Sequence, residues 1–203
     1  RLQLLHIDTC GPITPATNAG KGYFMVIVDS FSGMVWVYFL RTRDKAADAF
    51  QLFLTTTVAQ AGARVEEVDV VRTDGAKELT LGDFSSLRVK YHIRGEVGAP
   101  HGSTKHNARA ERTIRTLTEM ARTSMLAMNC PAVHWDEAIN TAAFTFNRAP
   151  SKASGYDVHL RRFRGDKQPL DLRHLRTFFA PIIVLDECQI RGRKFKPRAD
   201  FGR

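Results

Sequence analysis

The 203-residue sequence predicts an α/β domain of five short strands flanked by helices, followed by a basic, irregular extension. Three observations carry this. Short runs rich in β-branched and aromatic residues end at Gly, Pro or Ser turns, as strands do. Longer stretches carry apolar residues three or four apart, the spacing of one helix face. A chain of this length that is 43% hydrophobic can bury one sizeable core, in one to two domains.

In chain order, residues 2–8, 23–29 and 34–40 read as strands and predict an antiparallel meander. Over 44–61, Ala47, Phe50, Leu54 and Val58 recur at helical spacing, with Asp44 as the cap or first-turn acid. A fourth strand over 68–73 delivers Asp74 to its end, directly before Gly75. A short helix near 83–87 and a strand near 89–93 come next. The loop 95–104 holds Gly95, Gly98, Pro100 and Gly102, and is expected to be mobile and to border the functional site. A long helix over about 105–128 lines up Ile114, Leu117, Ala121, Met125 and Met128 on one apolar stripe, and a helix over 135–146 does so through Ala138, Ile139, Ala142 and Ala143. Both stripes read as core.

Three acids are set apart by their surroundings. Asp8 ends the run Leu4-Leu5-His6-Ile7 three residues before Gly11-Pro12, and Asp74 stands in the same way after Val70-Val71-Arg72-Thr73. In open α/β sheets, ligands are held at the carboxyl ends of strands, so two such aspartates can lie side by side. Glu111, three residues before Ile114, sits at the edge of the long helix's apolar stripe, from which it can reach across the sheet. An Asp, Asp, Glu set supplies the hard oxygen ligands that Mg²⁺ prefers and suits phosphoryl transfer. The bland alternative is that each acid caps a helix or faces water. Asp29 also ends a strand, but adjacent strands of a meander end at opposite edges, which removes it from the set.

Composition narrows the partners. The net charge of +9 is concentrated in residues 152–203, which hold 13 Lys and Arg against 6 Asp and Glu. Arg161, Arg162 and Arg164 form one group; Arg191, Arg193, Lys194, Lys196 and Arg198 form a denser one. Clustered cations attract a phosphate backbone irrespective of sequence, although a solvated surface or a nuclear-targeting run has the same composition. Cys10, Cys130 and Cys188 are odd in number and widely spaced, which argues against a disulfide framework and against a zinc pair. No apolar run approaches the roughly 20 residues of a membrane span, and no Gly-rich phosphate loop points to a nucleotide cofactor. The start at Arg1, with no signal-like segment, predicts a piece of a longer polypeptide.

The ordered motifs resemble the catalytic core of retroelement integrases, specifically of Ty1/copia-type long-terminal-repeat retrotransposons. The resemblance runs through His6-Ile7-Asp8 with Gly11-Pro12, Tyr23 to Ser32, Val35-Trp36-Val37-Tyr38-Phe39-Leu40, Arg72-Thr73-Asp74-Gly75 with Glu78, and Asn107-Ala108-Arg109-Ala110-Glu111-Arg112. It continues through Trp135-Asp136-Glu137-Ala138 and Asn147-Arg148-Ala149-Pro150, with weaker likeness at 163–169 and 193–199. Asp74 and Glu111 are separated by 36 residues, close to the spacing that names the Asp, Asp, Glu class.

What the resemblance implies is a ribonuclease H-like fold with a mixed five-stranded sheet, a core over 1–150 and an incomplete extension over 151–203. It implies DNA integration by a polynucleotidyl transferase and endonuclease, with Asp8, Asp74 and Glu111 holding two Mg²⁺ or Mn²⁺ ions. It implies DNA contacts from Lys105, Asn107 and Arg115, with the tail residues Arg191, Arg193, Lys194 and Lys196 added for their charge. The expected partners are double-stranded DNA and further copies of the chain, with no membrane and no small-molecule substrate, acting in the nucleus after a cytoplasmic particle stage. A nuclease or transposase on the same fold, or an inactive DNA-binding remnant, would share these acids. The pattern departs from the family at Gly75-Ala76, where Asn-Gly is usual, and at Thr104 and Ala108, where Pro and Gly are usual. Ala76 and Ala108 are therefore expected to strain their loops.

Overall fold

A computed structural model of the protein describes residues 1–97, 107–152, 155–166, 168–185 and 199–202. Strands β1 (Leu4–Cys10), β2 (Tyr23–Asp29) and β3 (Val35–Leu40) form the predicted meander. β4 (Val70–Thr73) lies parallel to β1, and β5 (Arg94–Val97) parallel to β4, giving a mixed sheet in the order β3-β2-β1-β4-β5. Between β3 and β4, the helix α1 (Ala46–Leu52) passes through a π-helical stretch, Phe53–Thr57, into α2 (Val58–Gln60). The helices α3 (Lys77–Thr80), α4 (Gly82–Lys90), α5 (Ala108–Ala127), α6 (Trp135–Phe146) and α7 (His159–Arg164) complete the domain.

The uninterrupted apolar run of β2 has a simple cause. Successive strand residues point to opposite faces, and both faces are covered. Met25 and Ile27 join Leu5, Ile7 and Val71 against Phe50, Phe53, Leu54 and Phe84 of the α1 and α4 side. Phe24, Val26 and Val28 join Val35 against Leu117, Ala121, Trp135, Ala138 and Ile139 of α5 and α6. The predicted stripes of both long helices are thus core.

The edge strand β3 is clamped by one side chain. Asn147, buried just beyond α6, accepts from the Val35 N–H at 2.8 Å and donates to the Val35 carbonyl at 2.7 Å, copying a strand partner. Asn147→Ala leaves that donor and acceptor unpaired in the interior, which costs roughly 2–4 kcal/mol; a urea melt is expected to show the loss with an unchanged denaturant slope.

The expectations for the strand near 89–93 and the loop 95–104 are corrected. The strand expected near 89–93 is not there: α4 runs to Lys90 with Val89 largely exposed, and the chain turns at His92 (φ 55°) before β5 begins at Arg94. β5 was hidden because it is an exposed edge whose residues are held by main-chain pairing, not by burial; the loop expected over 95–104 therefore opens as strand up to Val97, and its remainder lies outside the described residues. Packing also continues past residue 150. Phe163 of α7 meets Trp36 edge-on at 5.2 Å, and His159 Nδ1 lies 2.9 Å from the Ser32 carbonyl. Nor is the extension wholly irregular: β6 (Ile182–Leu185) pairs antiparallel with β7 (Ala199–Gly202), as the β-branched run Ile182-Ile183-Val184 favours.

Candidate active site

β1 and β4 run in the same direction, with Leu4 opposite Val70 and His6 opposite Arg72. Continuing that register two residues brings Asp8 level with Asp74, so parallel pairing sets the two aspartates at one sheet edge. Asp8 alternates with Ile7 and so points toward the α5 layer, where Glu111 occupies the first turn. Asn107 fixes that turn to the sheet: its amide donates to the Ile7 carbonyl at 2.9 Å. A fourth acid joins them. Glu78 of α3 accepts from the Thr9 hydroxyl at 3.3 Å, and Arg43, which also donates to the Gly11 carbonyl at 2.8 Å, stands 3.9 Å from it.

The electrostatics follow from this gathering. Asp8 is 9% exposed, and burial together with the neighbouring carboxylate of Asp74 pushes its pKa up to about 7; Glu111 and Glu78 push in the same direction, against the Thr9 N–H, which donates to Oδ1 at 2.8 Å. No ion pair joins Asp8, Asp74 or Glu111 to a cation among the described residues. Beside them His6 is buried and held neutral, its pKa lowered to about 4 by burial and by Arg72 and Arg109. The Asn107 side chain interacts with His6 and pulls its pKa the other way, and the buried Nδ1 of His6 and Oδ1 of Asn107 have no other partner.

The donor set is all carboxylate oxygen, the chemistry a hard divalent cation selects. Among the described residues, however, no three His, Cys, Asp or Glu side chains converge on a single coordination point. One oxygen of Asp74 is occupied by an Asx turn, accepting from the Ala76 N–H at 3.0 Å. Asp74 and Glu111 are both exposed, so their side chains are free to swing toward Asp8.

Asn107 is only 4% exposed and its amide is spent on the sheet, so in this structure it anchors the start of α5. Arg115 is exposed on α5 one turn beyond Glu111. Lys105, Arg191, Arg193, Lys194 and Lys196 lie outside the described residues, as does Thr104. The expected strain is absent at Ala76 (φ −54°) because the turn's positive φ falls on Gly75 (φ 90°), and Ala108 simply opens α5. Asp29 lies opposite Leu5, not Asp8, and is fully buried, accepting from the Leu2 N–H at 2.7 Å and the Ser32 N–H at 2.9 Å. Glu78 was part of a motif but not of the expected site; its spacing of four from Asp74 across a short helix is the signal that would have found it. An apolar cleft of about 530 Å³ opens between Phe24, Met125 and Trp135, but none of the acids lines it.

No known family profile matches the chain. It is 30% identical over 177 residues to the retrovirus-related Pol polyprotein from transposon TNT 1-94 of Nicotiana tabacum, covering 87% of this chain and 13% of that protein. It is also 30% identical over 186 residues to the transposon Ty1-DR6 Gag-Pol polyprotein of Saccharomyces cerevisiae, covering 91% and 10%. Among solved structures, the HTLV-2 integrase catalytic core domain in complex with magnesium matches with a TM-score of 0.58 at 18% identity, over 80% of this chain and 96% of that one. The chain's homologues are Ty1/copia-type Pol polyproteins, and its fold is that of an integrase catalytic core. A chain of the simian T-cell lymphotropic virus intasome in complex with PP2A regulatory subunit B56 gamma matches this integrase-like core with a TM-score of 0.64 at 17% identity, over 98% of this chain and 66% of that one. The chain spans about a tenth of the length of these curated polyproteins.

Proposed function

We propose that the chain is the catalytic core of a retroelement integrase, which trims the 3′ ends of element DNA and joins them to target DNA. The observation that carries this reading is Asp8, buried and held up to about pH 7 beside the carboxylates of Asp74, Glu111 and Glu78 at the ends of two parallel strands. Burial of like charges is costly and is kept where a ligand needs it.

Asp8, Asp74 and Glu111 would hold two Mg²⁺ or Mn²⁺ ions, which when bound activate the attacking oxygen and stabilise the leaving oxygen of an in-line displacement. The chain's own contributions are definite. The Thr9 N–H holds Oδ1 of Asp8 and leaves Oδ2 for a ligand. Near neutrality Asp8 shares a proton with solvent, which it gives up when a cation takes its place. Asn107 sets the position of Glu111, and Arg115 offers a cation to a DNA phosphate on the same helix. Lys105 and the basic run from Arg191 to Lys196 extend that attraction, the chain acts with further copies of itself on two DNA ends, and it works in the nucleus.

The test is disintegration of a branched DNA substrate with Mn²⁺, comparing the chain with Asp74→Asn. Loss of one metal-binding carboxylate is expected to lower the rate about 10³-fold. Equal rates in both would remove Asp74 from the site, and no turnover in either, with DNA bound, would favour an inactive remnant.

A further inference from the structure

The first two turns of α5 present opposite charges in two directions. Glu111 belongs to the acidic edge. Arg109 turns the other way, its Nη1 donating to the Ser30 carbonyl at 2.6 Å in the β2–β3 turn. That turn is crowded from beneath. Gly33 has φ +76°, and a Cβ there would lie 2.5 Å from Nδ1 of His159 and 3.5 Å from Nη2 of Arg109. His159 in turn stacks on Phe146 at 4.8 Å. The packing therefore fixes a small surface in which the tip of the turn, Phe31, stands out of the protein, 58% exposed, with the Arg162 guanidinium 5.3 Å from its ring centre. Arg112, exposed on α5, completes the group.

The charges of this surface are only partly compensated. Arg109, Arg112 and Arg162 form no ion pair among the described residues. The pKa of Arg109 is lowered by burial; the Asp29 carboxylate pulls it up, and the weaker fields of Arg162 and Arg112 lower it again. Asp29 acts on Arg109 through space, but it is fully buried, occupied by Leu2 and Ser32, and forms no ion pair with Arg112 or Arg162. Asp157 faces Arg161 at 4.0 Å instead. Three guanidinium groups set against one buried acid leave a net positive face, which becomes more favourable when a polyanion binds. An exposed aromatic among them adds a flat apolar contact for sugar or base.

The position also counts. Leu5 faces Asp29 and Asp8 faces Val26 across β1 and β2, so Asp29, the last residue before the turn, lies three residues, roughly 10 Å, along the sheet from Asp8, and the turn lies beyond it. We propose that Phe31, Arg109, Arg112 and Arg162 form a phosphate-binding face for duplex DNA at the sheet edge opposite the acids, linked to them by the first turns of α5, which holds the backbone as it runs away from the reacting end. The proposal rests on the integrase reading in taking DNA as the partner. It adds a second contact surface, distinct from the acids and from the basic tail.

The experiment is fluorescence anisotropy of a labelled random-sequence duplex with the full chain in EDTA over a series of salt concentrations. Arg112→Gln and Arg162→Gln are each expected to flatten the slope of log K against log salt by about one, and the double variant by about two, with roughly tenfold weaker binding at low salt. Arg112→Lys with Arg162→Lys keeps the charge and is expected to keep the slope. Unchanged slopes in folded glutamine variants overturn the proposal and leave an acidic protein as the occupant. Wild-type cleavage with Mn²⁺ reports on the integrase reading separately: a flattened slope without cleavage sinks that reading alone, and cleavage with unchanged slopes sinks this face alone.

Discussion

Asp8→Asn is expected to give a chain that is more stable than the parent at pH 8 in EDTA and yet inactive. The sign follows from the direction of the pKa change. Asp8 has a folded pKa of about 7 against an ordinary 3.8, so between these values the folded state binds the proton that the unfolded state has released. Stability from this group is fully present below about pH 4 and is lost progressively as pH rises to about 7. The loss amounts to at most about 4 kcal/mol at pH 8. Asn cannot ionise and avoids it. Urea melts should therefore show the variant ahead by about 2–4 kcal/mol at pH 8 and within about 1 kcal/mol of the parent at pH 4. His6, held near 4 by burial, loses stability in the acid range but does so equally in both proteins and cancels. Disintegration with Mn²⁺ should fall about 10³-fold in the same variant. A variant less stable than the parent at pH 8 would mean that the Asp8 charge has a favourable partner, and the site as described would be wrong.

Asn107→Ala should cost both stability and rate. The buried Ile7 carbonyl loses its donor, for about 2 kcal/mol, and His6 loses the amide beside it. Glu111 begins one turn later on a helix whose start is no longer tied to β1, and a shift of about an ångström in a reacting group is worth roughly 10²-fold in rate. The expected result is a lower urea midpoint, a 10- to 100-fold lower disintegration rate, and DNA affinity in EDTA that matches the parent. The reverse pattern, weaker DNA binding with stability intact, would restore Asn107 to the DNA-contacting role that its place in the motif suggested.

Much of the acidic cluster could be read along the chain because a strand carries the side chains near its end to one edge in a regular way. Asp8 and Asp74 each follow a short apolar run and precede a turn, and the parallel register of β1 and β4 brings them level. Asp29 lies opposite Leu5, at the other edge, as the same logic expects of an antiparallel neighbour. Glu111 sits at the border of a helix stripe that the 3.6-residue period makes visible. β5 and Glu78 were not legible in this way. β5 is held by main-chain pairing and shows no burial pattern, and Glu78 comes into the site only because Thr9 and Arg43, distant in sequence, close on it.

By itself, then, the sequence determined which elements form, which edge carries the two aspartates and which helix brings the glutamate, because periodicity and turn chemistry are local properties. Only the tertiary structure decided that the Asn107 amide ties α5 to β1, that Asp8 is buried among three other carboxylates, and that three arginines and an exposed phenylalanine come together. Burial and Coulomb interaction depend on distance through space, and residues 7 and 107, or 31 and 162, become neighbours only when the sheet and its helices have packed.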